Sequence, residues 1–253
     1  MKISFCIITL NEADNLPRCL KSITGLADEI VVLDSGSTDA TEAIAKQFGA
    51  RWEVQEWQGY VAQKNRLISL ARNEWVFSLD ADEELSPELR EEILAIQAGT
   101  PVDGICGYSM PRCVFYEGRW IRHGNWYPDR LTRLFRRENA RFTGGKVHEK
   151  LEIPGKVQRL NGDLHHYSFR DEDDHWKRCL KYAGLWAESR NEEGKKPGPL
   201  APYLHSVGRW IRGYFIKAGF LDGLMGLKIA NICAREVYLK YSLLRELNRK
   251  NQG

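Results

Sequence analysis

The stretch WVFSLDADEE, residues 75–84, decides the fold class because it joins an apolar strand to a cluster of acids. Its first five residues are apolar apart from Ser78, which is typical of a strand covered on both faces. Asp80, Ala81 and Asp82 follow where this strand ends. Carboxylates that alternate in this way suit a hard divalent cation that also holds phosphate oxygens. A D-x-D pair that stands alone is better explained as a solvated acidic loop before a helix.

Two further apolar runs also end in polar residues. The run at 3–9 leads into Asn11–Glu12, and the run at 30–33 leads into Asp34–Gly36. In an open parallel sheet the carboxyl ends of the strands meet at one edge, and ligands bind beyond that edge. Because three strand ends would bring acids to the same edge, the metal interpretation of residues 80–82 is favoured over the solvated loop.

Helical patterns separate these strands. Either Ser37 or Thr38 is a natural N-cap for a helix that runs to about Phe48, and Ser86 before Pro87 is typical of another helix start. The order β-α-β-α-β-α-β-α over residues 1–98 predicts an α/β fold with a doubly wound parallel sheet. Between residues 104 and 167, short strand-like pieces separated by Gly, Pro and Asn predict a mixed or antiparallel extension of that sheet.

The rest of the chain is predicted to be helical. Residues 171–190 form a helix opened by four acids, residues 192–202 form a Pro-containing linker, and a helical tail follows from about Tyr203. We therefore predict a catalytic domain over residues 1–193 and a C-terminal helical tail over residues 203–253. The tail mixes aromatic, apolar and basic residues. This composition suits an interfacial helix on an anionic membrane, or a helix pair that packs on the catalytic domain or on a second copy of the chain in a homodimer.

Composition and charge narrow the class of protein. Hydrophobic residues make up 43% of the chain and charged residues 28%, which is ordinary globular usage and excludes a largely disordered chain. The net charge of +3 hides two basic segments, residues 111–150 and 203–253. Basic segments suggest an anionic partner such as phosphate or an acidic lipid surface. No recognised nucleic-acid motif accompanies them, so we expect no nucleic acid.

Cysteine usage and hydropathy indicate a cytoplasmic setting. The six cysteines form no CxxC pair, and we expect them to be reduced thiols. The first residues lack the pattern of a signal peptide, and no apolar stretch approaches ~18 uninterrupted residues, so no spanning helix is expected. Neither G-x-G-x-x-G nor a P-loop motif is present.

The motifs IITLNE, VLDSGSTD, QKN and WVFSLDADEE together resemble the family 2 glycosyltransferases of the GT-A fold, a Rossmann-like mostly parallel sheet. The resemblance covers nearly the whole chain, and continues through RLFRR, GGKVHE and HHYSFRD to the tail motif FLDGLMGL. It is similar to the branch that adds sugars to the lipopolysaccharide core, of the β-1,4-glucosyltransferase type. This implies a metal-dependent inverting transferase whose donor is a nucleotide-diphosphate sugar, with UDP expected. The implied acceptor is a lipid-linked saccharide at the inner membrane.

The resemblance also implies roles for individual residues. Asp34 would hold the uracil or the ribose, although an Asx-turn that satisfies local N–H groups explains it equally well. Lys64 would face the same cleft, or else be a solvated helix lysine. Asp80 would contact the ribose or the metal, and Asp82 would ligate Mg²⁺ or Mn²⁺. The full set of implied nucleotide positions is Thr9, Leu10, Asn11, Glu12, Asp34, Gly36, Lys64, Asp80 and Ala81.

The catalytic base is less well defined. Many members of the family carry the base in an E-D pair late in the domain, and no such pair lies between residues 110 and 165. The nearest match is Glu149 in VHE, and Asp129 in YPD is the alternative. His166 is a candidate to complete the metal site. A zinc cluster with His165 and His175 lacks the usual ligand spacing, which favours structural histidines.

Two other functions fit the same residues. A nucleotidyltransferase also places paired acids on a metal at the end of a parallel strand, but it releases pyrophosphate. A non-catalytic membrane-associated protein that binds nucleotide sugars would keep the fold and need no metal. The favoured prediction is a metal-dependent glycosyltransferase that is cytoplasmic and peripheral at the inner membrane.

Overall fold

The computed structural model describes residues 1–99, 104–144, 149–169 and 171–250. The chain divides into two compact units. The first comprises Met1–Cys113 and Asp129–Tyr167, and the second comprises Val114–Pro128 and Ser168–Gly253. Residues 168–193 thus belong to the same unit as the tail. The predicted division into functional domains at residues 193 and 203 stays a prediction.

The first unit begins with the predicted alternation of strands and helices. In order, these are β1 (Ile3–Thr9), α1 (Leu16–Ile23), β2 (Glu29–Asp34), α2 (Thr41–Gln47), β3 (Arg51–Val54), α3 (Tyr60–Leu70), β4 (Trp75–Asp80), β5 (Glu83–Leu85) and α4 (Pro87–Ala98). The strands that follow are β6 (Ile105–Tyr116), β7 (Arg119–Ile121, in the second unit), β8 (Asp129–Arg136), β9 (Arg141–Gly144), β10 (Glu149–Glu152), β11 (Lys156–Arg159) and β12 (Leu164–His166).

Strands β3, β2, β1 and β4 form a parallel sheet in that order. Thr9 is level with Asp34, and Ile8 is level with Asp80, so the acids that follow β2 and β4 lie at the same edge. Strand β8 then pairs antiparallel with β4, and β6 pairs antiparallel with β8. The predicted α/β class, with a parallel sheet and an antiparallel extension, is confirmed.

Strands β1 and β4 are covered on both faces because their residues are apolar at almost every position. Ile3, Phe5 and Ile7 pack in one buried cluster, and Cys6 packs in the other. This division follows from the alternation of side chains along a strand. The rings of Phe5 and Phe77 stack with centroids 5.1 Å apart, which links β1 to β4. Strands β1 and β4 are therefore packed on both faces, and this packing fixes the positions of the strand ends that carry the acids.

One of the predicted helix caps is correct and the other is wrong. Helix α4 begins after Ser86, whose Oγ accepts the N–H of Leu89 at 3.2 Å. Helix α2 begins at Thr41, and its N-cap position supplies no side-chain cap, so the predicted cap at Ser37 or Thr38 is wrong. The reason is that the Ser37 hydroxyl bonds to the Asp34 carboxylate at 2.5 Å instead.

The second unit is mainly helical. It contains α5 (Glu172–Glu192), α6 (Ala201–Ile211) and α7 (Gly223–Lys250), with a π-helical turn at Arg212–Ile216 and a 3-10 turn at Gly219–Asp222 between the last two. The backbone packs closely at this interruption, because a Cβ at Gly226 would lie 1.7 Å from the carbonyl oxygen of Gly219. Ile229 and Cys233 of α7 are buried in the core of this unit. Among the helices described, none has the length and apolarity needed to cross a membrane.

Candidate functional site

Seven charged side chains of alternating sign form a continuous chain at the carboxyl end of β4. Each acid in this charge chain contacts the base that follows it, and each base contacts the next acid. The members, in order, are Glu149, Lys64, Asp80, Arg133, Glu83, Arg112 and Asp129. All seven belong to the first unit.

Lys64 connects the two acids at one end of the charge chain. Its Nζ lies 3.1 Å from Oδ1 of Asp80 and 2.9 Å from Oε1 of Glu149. Its side chain is only 2% exposed, and a lysine is almost never buried to this extent unless it is paired. The interpretation of Lys64 as a solvated helix lysine is therefore wrong. The side chain is directed at the acids of the β4 edge.

Arg133 and Glu83 form the buried centre of the charge chain. Nη2 of Arg133 lies 2.7 Å from Oδ2 of Asp80 and 2.5 Å from Oε1 of Glu83. Glu83 is fully buried, and its Oε2 accepts the backbone N–H of Asp80 at 3.0 Å. Burial alone would raise the pKa of Asp80, but Arg133 and Lys64 hold that pKa well below its usual range. Asp80 is therefore ionised at neutral pH.

Sequence reasoning missed Glu83, although the sequence contains a signal for it. Residues on one face of a strand alternate, so Glu83 and Leu85 share a face of β5, and both are buried. Glu83 is the one acid on that apolar face. A carboxylate on an apolar face requires a buried cation, and Arg133 provides it. Arg136, another arginine of β8, instead pairs with Glu74.

The two candidate bases lie at opposite ends of the charge chain. Arg112 pairs with Asp129 at 2.6 Å and approaches Glu83 at 3.8 Å. Burial raises the pKa of Glu149, but the neighbouring Lys64 ammonium more than offsets this and leaves the pKa below its usual value. Glu149 is thus ionised at neutral pH. Residues 147 and 148 of the VHE motif lie outside the described residues.

Asp82 and His166 converge beside the charge chain. Oδ2 of Asp82 lies 3.3 Å from Nε2 of His166, and the backbone carbonyl of Asp82 accepts the N–H of Tyr167 at 2.9 Å. The antiparallel pairing of β12 with β5 produces this approach, because it places His166 opposite Glu83. One carboxylate oxygen and one imidazole nitrogen therefore face each other at the predicted metal position.

The donor set fits a metal ion that is shared with a diphosphate. Within the described ranges, no group of three or more His, Cys, Asp or Glu side chains forms a metal site. Mg²⁺ usually takes only one or two protein carboxylates and completes its shell with substrate phosphates and water. Asp82 supplies one such carboxylate, whereas the imidazole of His166 is a ligand type that suits transition metals better than Mg²⁺. Asp80, the other predicted ligand, has one carboxylate oxygen 3.1 Å from Lys64 and the other 2.7 Å from Arg133. Because a carboxylate offers about four lone-pair sites, Asp80 retains sites for a metal beside these two cations.

The other two histidines considered for zinc lie elsewhere. His165 is paired across the strands with Glu84. His175 is in the second unit, where its Nδ1 lies 3.0 Å from the hydroxyl of Tyr116. Burial lowers the pKa of His175, which favours the neutral ring. His175 is therefore a structural residue.

The Asp34 carboxylate accepts the hydrogen bonds that hold together the loop after β2. It accepts the Thr9 hydroxyl at 2.9 Å, the backbone N–H groups of Gly36 and Ser37 at 2.7 and 2.6 Å, and the Ser37 hydroxyl at 2.5 Å. A carboxylate offers about four lone-pair sites, so these donors fill them. Gly36 has φ +102°, a conformation that favours glycine. The arrangement matches the Asx-turn interpretation, and a nucleotide would have to replace one of these donors.

The loop after β1 is tied to the loop after β2. Asn11 has φ +53°, and its N–H donates to the Ser37 hydroxyl at 2.7 Å, while its side-chain oxygen accepts the N–H of Thr38 at 2.9 Å. The Glu12 carboxylate accepts the side-chain amide of Asn15 at 2.9 Å. Among the remaining predicted nucleotide positions, Leu10 is half exposed and Ala81 is buried.

Comparison with known proteins assigns the family. Residues 4–152 match the family model of glycosyl transferase family 2. The chain is 32% identical over 257 residues to an uncharacterized glycosyltransferase of Rickettsia bellii, covering 98% of this chain and 87% of that protein. The chain therefore belongs to glycosyltransferase family 2. Its sheet has the GT-A arrangement that the resemblance implied.

A second relative has a more specific name. The chain is 31% identical over 257 residues to the lipopolysaccharide core biosynthesis glycosyltransferase LpsC of Rhizobium meliloti, covering 96% of this chain and 94% of that protein. Among solved structures, it is similar to glucosyl-3-phosphoglycerate synthase from Mycobacterium tuberculosis in complex with Mn²⁺, UDP and glucosyl-3-phosphoglycerate. That similarity has 19% identity and a TM-score of 0.48, and covers 78% of this chain and 81% of the other.

Proposed function

We propose that this family 2 glycosyltransferase moves a sugar from a nucleotide-diphosphate sugar, with UDP as the nucleotide, to a lipid-linked saccharide of the lipopolysaccharide-core type. The observation that carries the proposal is the charge chain beside Asp82 and His166, which sets buried cations, a metal-ligand pair and two candidate bases around one strand end. The name of the LpsC relative supports the acceptor class.

In this proposal, Asp82 and His166 hold the Mg²⁺ or Mn²⁺ ion together with the donor diphosphate. The ion, when bound, supplies positive charge that stabilises the departing nucleoside diphosphate. Asp80 acts differently, because Arg133 and Lys64 already neutralise it. Its role is to hold the Lys64 ammonium at the cleft, where that cation adds to the field felt by the phosphates.

Glu149 is the proposed base. It would take the proton of the acceptor hydroxyl while that oxygen attacks the sugar from the face opposite the leaving group, which inverts the anomeric centre. The contact with Lys64 keeps Glu149 ionised and fixes its direction. Asp129 remains the alternative, since Arg112 keeps it at the other end of the same charge chain.

A panel of nucleotide sugars tests the proposal. The wild-type protein is titrated with each sugar nucleotide with and without Mn²⁺, and the released nucleotide is identified. Release of a nucleoside diphosphate supports a glycosyltransferase, whereas release of pyrophosphate would indicate a nucleotidyltransferase. Asp82→Ala should abolish metal-dependent UDP-sugar binding while the fold survives, and the exposed Asp173→Ala serves as the matched control. Unchanged affinity and metal dependence in Asp82→Ala would contradict the metal assignment.

The second unit supports a peripheral membrane location. Helix α6, the turns after it and the start of α7 expose many apolar side chains, namely Tyr203, Leu204, Val207, Ile211, Phe215, Ile216, Phe220, Leu221 and Leu224. The sequence from 195 to 221 contains five basic residues and no acid. An apolar surface with basic neighbours suits anionic lipid, and the acceptor is itself lipid-linked. We therefore propose that the protein works at the cytoplasmic face of the inner membrane.

Vesicle binding tests this location. The protein should sediment with vesicles that contain anionic lipid, and should do so less at high salt. Leu204→Glu and Ile216→Glu should weaken sedimentation, because both side chains are largely exposed and neither supports the core. If the wild-type protein ignores the vesicles but forms dimers that these variants break, the surface is a homodimer contact instead.

A further inference from the structure

An exposed aromatic pair, one ring in the loop after β3 and the other at the first residue of α3, has no part in the mechanism above. Trp57 and Tyr60 are 45% and 41% exposed, although large aromatic side chains gain most when they are covered. Their ring centroids are 4.8 Å apart and their planes meet at 88°, so the two rings pack against each other edge to face. Each ring is thus held by the other, while part of the aromatic area stays exposed to solvent.

The loop that carries Trp57 is fixed to the Asp34 loop. The N–H of Gln55 donates to the carbonyl of Asp34 at 2.9 Å. The side chain of Gln63, which is buried, donates to the hydroxyl of Ser35 at 2.8 Å and accepts from the side chain of Gln55 at 2.6 Å. These bonds tie the start of the loop, and the helix that follows it, to the carboxyl end of β2. The aromatic pair is therefore held at the ligand-binding edge of the sheet.

The position of β3 in the sheet determines which part of the donor nucleotide would lie near Trp57 and Tyr60. The order β3-β2-β1-β4 places β3 three strands from β4, which is ~14 Å at the usual strand spacing. The metal-ligand pair and the charge chain lie at the β4 end, so the diphosphate belongs there. A span of three strands is comparable to the length of an extended nucleoside diphosphate. The end of the donor that reaches β3 is then the base.

The geometry points to Trp57, braced by Tyr60, as a stacking platform for the base of the donor nucleotide. This inference rests on the proposed function. The chemistry suits a base because a planar heterocycle gains by covering an aromatic face, whatever its hydrogen-bonding pattern. Asp34 has its lone pairs filled by its own loop. Stacking therefore supplies affinity for the nucleoside that Asp34 does not supply in this arrangement.

Calorimetric titration of the full-length protein tests the platform. The ligands are UDP and inorganic pyrophosphate, each with Mn²⁺, and the variants are Trp57→Ala, Trp57→Phe and the control Val54→Ala, an apolar truncation at the exposed end of β3. Loss of one base-stacking contact should weaken UDP binding about 5- to 150-fold. Pyrophosphate binding should not change, because pyrophosphate has no base. Trp57→Phe should restore UDP binding to within a few-fold, and Val54→Ala should match the wild type.

Three outcomes would overturn the inference. Wild-type UDP affinity in Trp57→Ala would show that the ring does not touch the nucleotide. Equal losses for UDP and pyrophosphate would show a general disturbance of the site instead of stacking. Failure of Trp57→Phe to recover UDP binding would show that an aromatic face at residue 57 is not what holds the base, and would reject stacking. If the wild-type protein binds no nucleoside diphosphate at all, the proposed function itself fails, which distinguishes the two claims.

Discussion

Lys64 is the residue whose removal tests the charge chain most severely. Its ammonium lies between Asp80 and Glu149, at 3.1 and 2.9 Å, and is shielded from water. Lys64→Met keeps the length and the apolar stem of the side chain but removes the charge. The two carboxylates then face each other across an apolar group. Asp80 keeps its contact with Arg133 at 2.7 Å, so the larger loss falls on Glu149.

The expected cost follows from the burial of the three groups. Removing one partner of a fully buried ion pair costs about 3–5 kcal/mol. The two carboxylates are 24% and 25% exposed, so water recovers part of that loss. We expect the free energy of unfolding to fall by about 2–4 kcal/mol at pH 7, after this discount on the buried-pair cost. Urea denaturation followed by circular dichroism measures it.

Acid should reduce the effect of Lys64→Met. Lys64 holds the pKa of Glu149 below its unfolded value, and Arg133 together with Lys64 does the same for Asp80. Its stabilisation is therefore fully present above the unfolded values, near pH 4, and is lost as the pH falls through the lower folded values. The deficit of Lys64→Met should be largest at neutral pH and should shrink in acid.

Two further variants control the experiment. Lys46→Met removes the same charge from an exposed pair with Glu42 and should cost no more than about 0.5 kcal/mol. Adding Glu149→Gln to Lys64→Met should recover part of the lost stability, because it removes one of the two unpaired carboxylates. If Lys64→Met is as stable as Lys46→Met, or if Glu149→Gln brings no recovery, the charge chain does not stabilise the site as described.

Two further predictions concern the second unit. Burial lowers the pKa of His175, so below pH ~6.5 the unfolded chain binds a proton that the fold does not, and the fold loses stability. His175→Gln should therefore make the free energy of unfolding less dependent on pH between 7 and 5. An unchanged pH dependence would contradict this. Gly226→Ala should lower the free energy of unfolding by about 3 kcal/mol or more, because its Cβ would strike the Gly219 carbonyl. Gly184→Ala, in open space on α5, should raise it by ~0.5–1 kcal/mol, and similar effects in both would contradict the packing argument.

The parts of the fold that the sequence predicts are those that depend on local periodicity. The apolar runs at β1, β2 and β4 are continuous, and each helix between them repeats its apolar residues at helical spacing, so the alternation is visible without tertiary information. The acidic strand ends were also predictable, because the strand direction in a parallel sheet brings them to one edge.

The parts that were missed depend on tertiary partners. The hydroxyl of Ser37 has two local uses, as a helix cap or as a donor to Asp34, and only the folded loop shows that it takes the second. Arg133 gives no local sign that it points inward, because its partner Glu83 is 50 residues away in the chain. Long-range pairs of this kind decide the site, and a single sequence does not reveal them.

The most direct test of the proposed mechanism is the rate of sugar transfer by Glu149→Gln. Turnover is measured as nucleoside diphosphate released with a lipopolysaccharide-core acceptor, and affinity for the UDP-sugar is measured on the same preparation. A base acts chiefly in the transition state, so Glu149→Gln should keep donor affinity within a few-fold and lose about 10²–10⁴-fold in turnover, while Asp129→Asn should lose less. Near-wild-type transfer by Glu149→Gln, with Asp129→Asn inactive, would contradict the account and place the base at Asp129.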